Sequence, residues 1–250
     1  MSSERLKKII KSSATLRRLY YRAKIFQGTR GQSDEGTIIC DLAKSTNAPE
    51  TFIEFGFHPI EFNCASLAQN PDWQGLLIDG NARQVSDARS VLPKRIEIVE
   101  AFLTLNNLHF IKSKFQKVGV LSIDVDGNDY WFLENLIEIK PSIICIEYNA
   151  SFGPESITVP YDDGFDRHQK HPSGWYHGAS LAAIAKLCAT HGYGLAAVSE
   201  AGGNAFFTLI GDHLDPATAW KPSRLRREYS GVAHADQWQR ISHMPFIRIH

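Results

Sequence analysis

The chain has 250 residues, of which 43% are hydrophobic, and its 27 basic side chains balance its 27 acidic ones. This composition supplies a full hydrophobic core and excludes a disordered chain, while the zero net charge gives no general field for nucleic acid. The charge is uneven, because residues 1–30 carry nine basic residues and one acidic residue. We expect residues 1–30 to form a separate basic element and residues 31–250 to form one domain with a C-terminal extension.

The cysteines predict the compartment. Cys40, Cys64, Cys145 and Cys188 lie in apolar surroundings and form no CxxC pair, which favours reduced core thiols over a disulfide frame or a zinc site. No apolar run approaches the ~20 residues of a membrane helix, and the first residues lack the apolar stretch of a signal peptide. The expected compartment is therefore the cytoplasm.

The first predicted element is a basic amphipathic helix over residues 4–26. Leu6, Ile9 and Leu16 belong to an apolar series at roughly helical spacing, and Gly28 interrupts it. Such a helix can rest on the anionic inner face of a membrane, pack on a partner, or lie across its own domain with its charges in solvent. The last arrangement is the one we expect.

After a turn-rich stretch, strands alternate with helices. The patterns predict strands over 51–55, 75–78, 96–99, 118–124 and 142–147, and helices over 62–69, 82–91, 130–137 and 178–191. Strands over 194–198 and 205–210 follow, joined through Gly202 and Gly203 as a hairpin. This order predicts an α/β fold: a mostly parallel, Rossmann-like sheet with helices on both faces, closed by an antiparallel hairpin strand.

In such a sheet, ligands collect beyond the carboxyl ends of the strands, where this chain is mostly acidic. Glu54 can face an ammonium group, and Gly56 allows close approach of a ligand to the backbone. Asp79 can accept both hydroxyls of a ribose, and Ala101 and Phe102 suit the edge and face of an adenine. The sequence therefore predicts a nucleoside-containing cofactor at this edge.

The loop after the first strand indicates which cofactor. A dinucleotide needs glycines beside its pyrophosphate, but residues 57–61 read FHPIE, with no glycine and with a carboxylate that repels phosphate. S-adenosylmethionine carries no phosphate and fits these residues better. A nicotinamide-dependent oxidoreductase is the disfavoured alternative.

Seven blocks of the sequence together resemble the FkbM-like methyltransferases over roughly residues 50–210. They are FIEFGFHPIEFN, WQGLLIDGN, VEAFLT, VLSIDVDGNDYWFLENL, IICIEYNASFGP, GASLAAIAKL and GGNAFF. The resemblance implies a class I methyltransferase fold, S-adenosylmethionine as methyl donor, and a hydroxyl of a sugar, a polysaccharide or lipopolysaccharide, or a related metabolite as acceptor.

The resemblance also implies site roles. Glu54 and Gly56 would hold the methionine end of the donor, Asn63 would support the loop, Asp79 would bind the ribose, and Ala101 with Phe102 would hold the adenine. The first loop departs from the family pattern, because residues 58–61 stand where a second glycine is usual. This departure motivates an alternative function, a binding or scaffold protein that keeps the fold without turnover.

Carboxylates are dense at the ends of the fourth and fifth predicted strands. Asp124 and Asp126 follow one strand, and Glu147 and Asn149 follow the next, so these side chains should meet at the acceptor side. Two interpretations stay open: Asp124, Asp126 and Glu147 bind Mg²⁺ or another divalent cation, or Asp126, Glu147 and Asn149 bind substrate hydroxyls. A calcium loop is excluded, since its twelfth position is Asn135 and not Glu.

Methyl transfer to a hydroxyl needs a proton acceptor, for which His177 is the first candidate and Asp124 the second. His177 ends a polar, aromatic segment over residues 161–177 that is expected to cover the substrate, and Asn204 is placed towards the same cleft. Arg224, Arg226 and Arg227 form a basic cluster that suits either an anionic substrate or the acidic remainder of the protein. We expect a small-molecule or glycan substrate and no nucleic acid, and the sequence leaves a homo-oligomer open.

Overall fold

The computed structural model describes residues 12–26 and 33–250, with the side chain of residue 26 left out. Its first half contains α1 (Ala14–Phe26), α2 (Glu35–Ser45), β1 (Thr51–Phe55), α3 (Ala65–Gln69), β2 (Gln74–Asp79), α4 (Ala82–Val91), β3 (Ile96–Glu100), α5 (His109–Lys112), β4 (Val120–Ile123) and α6 (Asp129–Leu136). Its second half contains β5 (Ile143–Glu147), β6 (Ile157–Thr158), α7 (Arg167–Lys170), α8 (Leu181–Thr190), β7 (Gly194–Val198), β8 (Asn204–Thr208), α9 (Pro216–Ala219), α10 (Arg224–Ser230), α11 (His234–Ile241) and β9 (Ile247–Arg248).

Seven strands form one sheet in the order β3-β2-β1-β4-β5-β8-β7. The first five run parallel, whereas β8 is antiparallel to both of its neighbours, β5 and β7. The predicted fold class, a mostly parallel sheet with an antiparallel hairpin strand, is therefore confirmed. The reversal of strand order at β1 and β4 opens a crevice beyond their carboxyl ends, which is where such sheets bind ligands.

Alternating side chains of each strand enter two separate cores. On β1, Ile53 and Phe55 point to the face covered by α5, α6 and α8, whereas Phe52 points to the face covered by α2, α3 and α4. All three side chains are fully buried, and each buried residue of this size contributes on the order of 1.5–3 kcal/mol. The two cores fix the sheet edge on which the site is built.

Two regions differ from the sequence-based prediction. The stretch before β1, predicted as turn-rich, contains the helix α2, whose Ile39 and Ala43 are buried one turn apart. Beyond β8, short helices lead back to β9, which pairs with β6 in a second, two-stranded sheet. A third apolar cluster around Phe152, Trp175 and Ile241 joins this C-terminal segment to the loop after β5.

The basic helix lies on the domain. Arg17 and Arg18 both bind Asp87 on α4, and Arg22 donates to the Ser90 carbonyl, so three of its cations face the protein. Helix α1 confirms residues 14–26 of the predicted helix, while its residues 4–11 lie outside the described part. Across residues 12–26 and 33–250, none of the helices has the length and apolar character required to cross a membrane.

Candidate active site

The carboxyl ends of β1 to β4 surround a cavity of about 470 Å³, here called the first cavity. The residues predicted from the strand ends that line it are Gly56, Asp79, Ala101, Phe102, Asp124 and Asp126. Its volume falls in the range of roughly 300–1,000 Å³ that is usual for small-molecule sites. Register explains this convergence, because Asp79 pairs with Glu100 and Asp124 follows the pair of Phe55 and Ile123.

Asp79 is held rigidly at this edge. Its two oxygens accept from the backbone N–H groups of Asn81 at 2.6 Å and Phe57 at 3.3 Å. Burial raises the pKa of Asp79 above its ordinary value, and the two backbone hydrogen bonds oppose that shift. Each carboxylate oxygen has a further lone pair, so the fixed carboxylate can still accept from a ligand hydroxyl.

Phe102 supplies the apolar rim of the first cavity. Its side chain is 62% exposed although it is a large hydrophobic residue, and it lies against Gly80. A Cβ at Gly80 would come within 3.2 Å of the Phe102 ring, so the missing side chain leaves the ring free to lie over the end of β2. An exposed aromatic ring at a cavity rim suits a planar ligand group.

Glu54 lies beneath the first loop and does not line the first cavity. Its carboxylate is 1% exposed and accepts from the backbone N–H groups of Asn63 at 2.7 Å and Cys64 at 2.8 Å, just before α3. Burial raises the pKa of Glu54 to about 7. In this geometry the Glu54 oxygens accept hydrogen bonds from the backbone just before α3, whereas the prediction had Glu54 facing an ammonium group. Asn63 donates to Ser122 Oγ and supports the loop.

Gly56 is required for a reason other than the predicted one. It has φ +70°, and a Cβ placed on it would lie 1.5 Å from the Asp124 carbonyl oxygen. The close approach in the structure is therefore between β1 and the end of β4. A side chain at Gly56 would push these two strand ends apart.

A second cavity of about 540 Å³ adjoins the first. Asp124 and Asp126 line both cavities, which makes them the shared wall. Polar groups dominate the second cavity: Asp124, Asp126, Glu147, Arg167, Asn204 and Arg226. Asn204 lies beside Glu147 because β8 pairs with β5 at these two residues. The predicted placement of Asn204 in the same cleft is confirmed.

The carboxylates do not assemble as the predicted metal set. Oxygen or nitrogen atoms lie within 4.8 Å of one another in two groups, one of Asp126, Glu147 and His177, the other of Asp124, Asp129 and Glu147. Asp129 already accepts from the backbone of Val125 and Gly127, at 2.8 Å and 2.9 Å. Asp126, with φ +57°, forms an ion pair with Arg167. The predicted trio of Asp124, Asp126 and Glu147 is split between the groups.

Crowding of like charges changes the titration of this site. Burial, followed by the charge of Glu147, raises the pKa of Asp124 well above its ordinary range. Burial and the charge of Asp126 raise the pKa of Glu147 to about 8, while Arg226 and Arg167 oppose that shift. Two neighbouring carboxyl groups cannot both ionise easily, so their proximity favours the protonated form of at least one of them.

His177 is buried at 1% exposure and is engaged by Arg226. Arg226 Nη2 lies 2.8 Å from His177 Nε2, and because a guanidinium has donors only, Nε2 must be the acceptor. The remaining proton of the neutral ring is then on Nδ1, which lies 3.6 Å from a Glu147 oxygen. Burial and Arg226 hold the pKa of His177 well below its ordinary value. In this arrangement the lone pair of His177 is already used by Arg226, and the role of His177 as base stays a prediction.

Asn149 is buried and does not line the second cavity, and its side chain is occupied by the protein. Its side-chain nitrogen donates to the carbonyls of Trp175 and His177, at 2.7 Å and 2.8 Å, and its oxygen accepts from Arg226 at 2.6 Å. It also accepts from the Ser151 N–H. Asn149 therefore anchors the segment that carries His177, which differs from its predicted role in binding substrate.

Arg226 is the residue that the sequence prediction placed least well. Arg226 lies on α10, far along the chain from the other site residues. Its guanidinium donates hydrogen bonds to His177, Asn149 and Ser151. Its sequence signal was the basic cluster of residues 224–227, which did not distinguish Arg226 from its neighbours. Exposed Arg224 instead approaches Glu228 on the same helix.

No protein-family model and no curated protein matches this chain. Among solved structures, a protein from Klebsiella pneumoniae assigned as an O-methyltransferase aligns with a TM-score of 0.50 and 16% sequence identity, over 82% of this chain and 96% of that one. An O-methyltransferase from Bacillus cereus in complex with SAH gives a TM-score of 0.49, 16% identity and coverage of 75% and 89%. The N-terminal domain of EvdMO1 with SAH and D-fucose gives 0.46, 11%, 79% and 97%.

The likeness to the Klebsiella protein covers 82% of the chain, and the chain itself has five parallel strands followed by the antiparallel β8. The chain therefore has the Rossmann-like methyltransferase fold. At 16% identity the likeness concerns the fold alone, and membership of the FkbM-like family stays a prediction from the sequence.

Proposed function

We propose that the protein is an S-adenosylmethionine-dependent O-methyltransferase that acts on a hydroxyl of a sugar, a polysaccharide or a related polyhydroxyl metabolite. The observation that carries this proposal is the pair of cavities that share Asp124 and Asp126. Transfer between two small molecules needs two adjoining sites with a common wall, so that the reacting atoms approach each other away from water.

The first cavity fits the donor. Asp79 offers a fixed carboxylate for ribose hydroxyls, and Phe102 offers an exposed ring for adenine. Bound there, S-adenosylmethionine would supply a methyl group activated on a sulfonium. Glu54 argues against a dinucleotide, because it already accepts from Asn63 N–H and Cys64 N–H, the backbone donors at the helix start where a pyrophosphate would bind.

The second cavity fits a neutral, hydroxyl-rich acceptor. Among the described residues nothing donates to the buried Asn204 Oδ1, and Asn204 pairs with Glu147 across β8 and β5 and lines the same cavity. Hydroxyl groups can satisfy both. The cations favour this acceptor over a phosphate, because Arg167 pairs with Asp126 and Arg226 donates to His177, Asn149 and Ser151.

The proposal assigns no role to a metal ion. Asp129 is fully buried and lines neither cavity, and His177 is protonated on Nδ1, so each candidate cluster keeps only two carboxylates that face a cavity and can bind a cation. Since Mg²⁺ can be held by two carboxylates together with substrate oxygens, the test is functional. We expect EDTA to leave turnover unchanged, and loss of turnover that Mg²⁺ restores would revive the predicted cation.

The direct test is methyl transfer. Purified protein would be incubated with S-adenosylmethionine labelled on its methyl group and with a glycan and metabolite extract, and the labelled product would be separated and identified. We expect alkali-stable label on a hydroxylated compound, as an ether gives. Label on a carboxyl or an amine would contradict O-methylation, and donor binding without transfer to any fraction would favour the non-catalytic scaffold.

A further inference from the structure

His177 and Arg226 form a buried arrangement that the proposed function does not yet use. Within the described part of the chain, Nδ1 of His177 has no hydrogen-bond partner, although the ring is 1% exposed. An unsatisfied buried donor costs on the order of 1–3 kcal/mol, so such a group needs an explanation. The Oε2 atom of Glu147 lies 3.6 Å from this nitrogen.

Arg226 determines which ring nitrogen of His177 carries the proton. Its guanidinium donates to Nε2 of His177 at 2.8 Å and is itself fixed by Asn149 Oδ1 at 2.6 Å and Ser151 Oγ at 2.7 Å. Asn149 also donates to the His177 carbonyl at 2.8 Å, so both the ring and the backbone of His177 are held. The proton is therefore carried by Nδ1, the ring nitrogen that lies 3.6 Å from a Glu147 oxygen.

Glu147 differs from Asp124 in its neighbours. Asp124 lines both cavities and Glu147 lines the second, with oxygens of the two carboxylates within 4.8 Å of each other, so one of them carries the negative charge more readily. Glu147 faces the Nδ1–H of His177 and feels the charges of Arg226 and Arg167. The acidic groups around it are Asp124, Asp126 and Asp129. The two arginines and the Nδ1–H of His177 all act on Glu147. They favour the ionised form of Glu147 over the ionised form of Asp124.

We propose that Glu147 is the general base of the methyl transfer and that His177, locked by Arg226, is a positioning residue that orients its carboxylate. Glu147 takes up the proton that the acceptor hydroxyl loses as its oxygen bonds to the methyl carbon. The methyl–sulfur bond breaks and leaves its electron pair on sulfur, so the positive charge of the sulfonium and the negative charge of the carboxylate both disappear. This inference rests on the proposed function and replaces the two bases expected from the sequence.

The first test reads the histidine without any turnover. Nitrogen-15 NMR of the histidine-labelled protein would assign the His177 resonances by their loss in His177→Gln. We expect a neutral ring protonated on Nδ1 across pH 6 to 8, and a change of tautomer or loss of its uniformity in Arg226→Met. Protonation on Nε2 in the unmodified protein would overturn the positioning role.

The second test uses the labelled-methyl assay on the extract fraction that accepts label. Glu147→Gln should lower turnover by about 100-fold or more, in line with loss of a general base, while calorimetric affinity for S-adenosylmethionine stays the same. Glu138→Gln, at an exposed position two residues after α6, is the matched control and should leave turnover unchanged. Turnover of Glu147→Gln within tenfold of the unmodified protein would overturn Glu147 as base.

The pH profile separates positioning from folding. Turnover of the unmodified protein should rise with pH as Glu147 ionises, and His177→Gln should move this limb to higher pH because the carboxylate loses its donor. An unmoved limb in a folded His177→Gln protein would overturn the positioning role. If the unmodified protein transfers no methyl group at all, the proposed function fails, whereas active protein with an active Glu147→Gln variant refutes only the present inference.

Discussion

At the scale of single residues, Gly56 and Gly231 have similar positive φ values but different surroundings, so alanine substitutions at the two should differ in their effect on stability. Gly56→Ala would place a Cβ 1.5 Å from the Asp124 carbonyl oxygen, so we expect severe destabilisation, of about 3 kcal/mol or more, as β1 and β4 separate. Gly231→Ala is the control, because φ is similar, +67°, but no atom lies within 4 Å. There the conformation alone should cost about 1 kcal/mol. Urea unfolding of both variants measures the difference, and equal losses would contradict the close packing of Gly56 against Asp124.

The raised pKa of Glu147 makes the stability of the protein depend on pH. Its pKa is about 8 in the folded protein against 4.5 ordinarily, so the folded state binds the extra proton and its contribution is lost as pH rises towards 8. The buried Glu54, with a pKa of about 7, acts in the same direction. His177 has the opposite effect only below its ordinary pKa of 6.5, since it stays neutral in the fold. The clean window is therefore pH 6.5 to 8.5.

In that window we expect the free energy of unfolding to fall with pH, by at most about 1.4 kcal/mol per pH unit for each titrating group. Glu147→Gln mimics the protonated carboxyl and should flatten the slope. Thermal or urea unfolding at several pH values measures it. An identical slope in the variant would mean that Glu147 ionises normally in the folded protein.

At the scale of elements, helix α1 is attached through a buried charge. The guanidinium of Arg17 is 7% exposed and donates to Asp87, which is 2% exposed and also accepts from Arg18 at 3.1 Å. Asp87→Ala should destabilise the protein by about 3–5 kcal/mol, because it leaves buried Arg17 without its carboxylate. The exposed pair of Lys114 and Glu97 is the control, since Glu97→Ala should change stability too little to resolve. Equal effects in urea unfolding would show that α1 is only loosely attached.

The seven strands of the main sheet were predictable from sequence, but helix α2 and the two-stranded sheet were not. Buried β-branched runs such as Ile143–Glu147 have no solvent face, so their pattern is distinctive. Helix α2 contains Gly36, Thr37 and Ile38, which weaken helix propensity, and its burial against the sheet decides its structure. Strand β9 is only two residues long and depends on its pairing with β6, about ninety positions earlier, which no local pattern reveals.

At the scale of the whole molecule, some residues of the site could be placed from the sequence and others could not. Asp79, Asp124 and Glu147 could be placed at one edge because parallel strands end together, so the topology alone determines their proximity. Arg226 could not be placed, because it reaches the site from α10 through contacts with residues 149 to 177. The hydrogen bonding of His177 depends on that distant contact. The sequence therefore indicated His177 as a site residue but not which of its ring nitrogens is free to act.

The most direct test of the account is calorimetric titration with S-adenosylmethionine and, separately, with NAD. We expect one molecule of S-adenosylmethionine to bind per chain, no binding of NAD, and at least about a tenfold weaker affinity for the donor in Asp79→Asn, since a hydrogen bond to a charged group contributes about 1.5–3 kcal/mol. Asp72→Asn, an exposed change before β2, should bind the donor normally. Tight binding of NAD, or no binding of S-adenosylmethionine to the unmodified protein, would contradict the account.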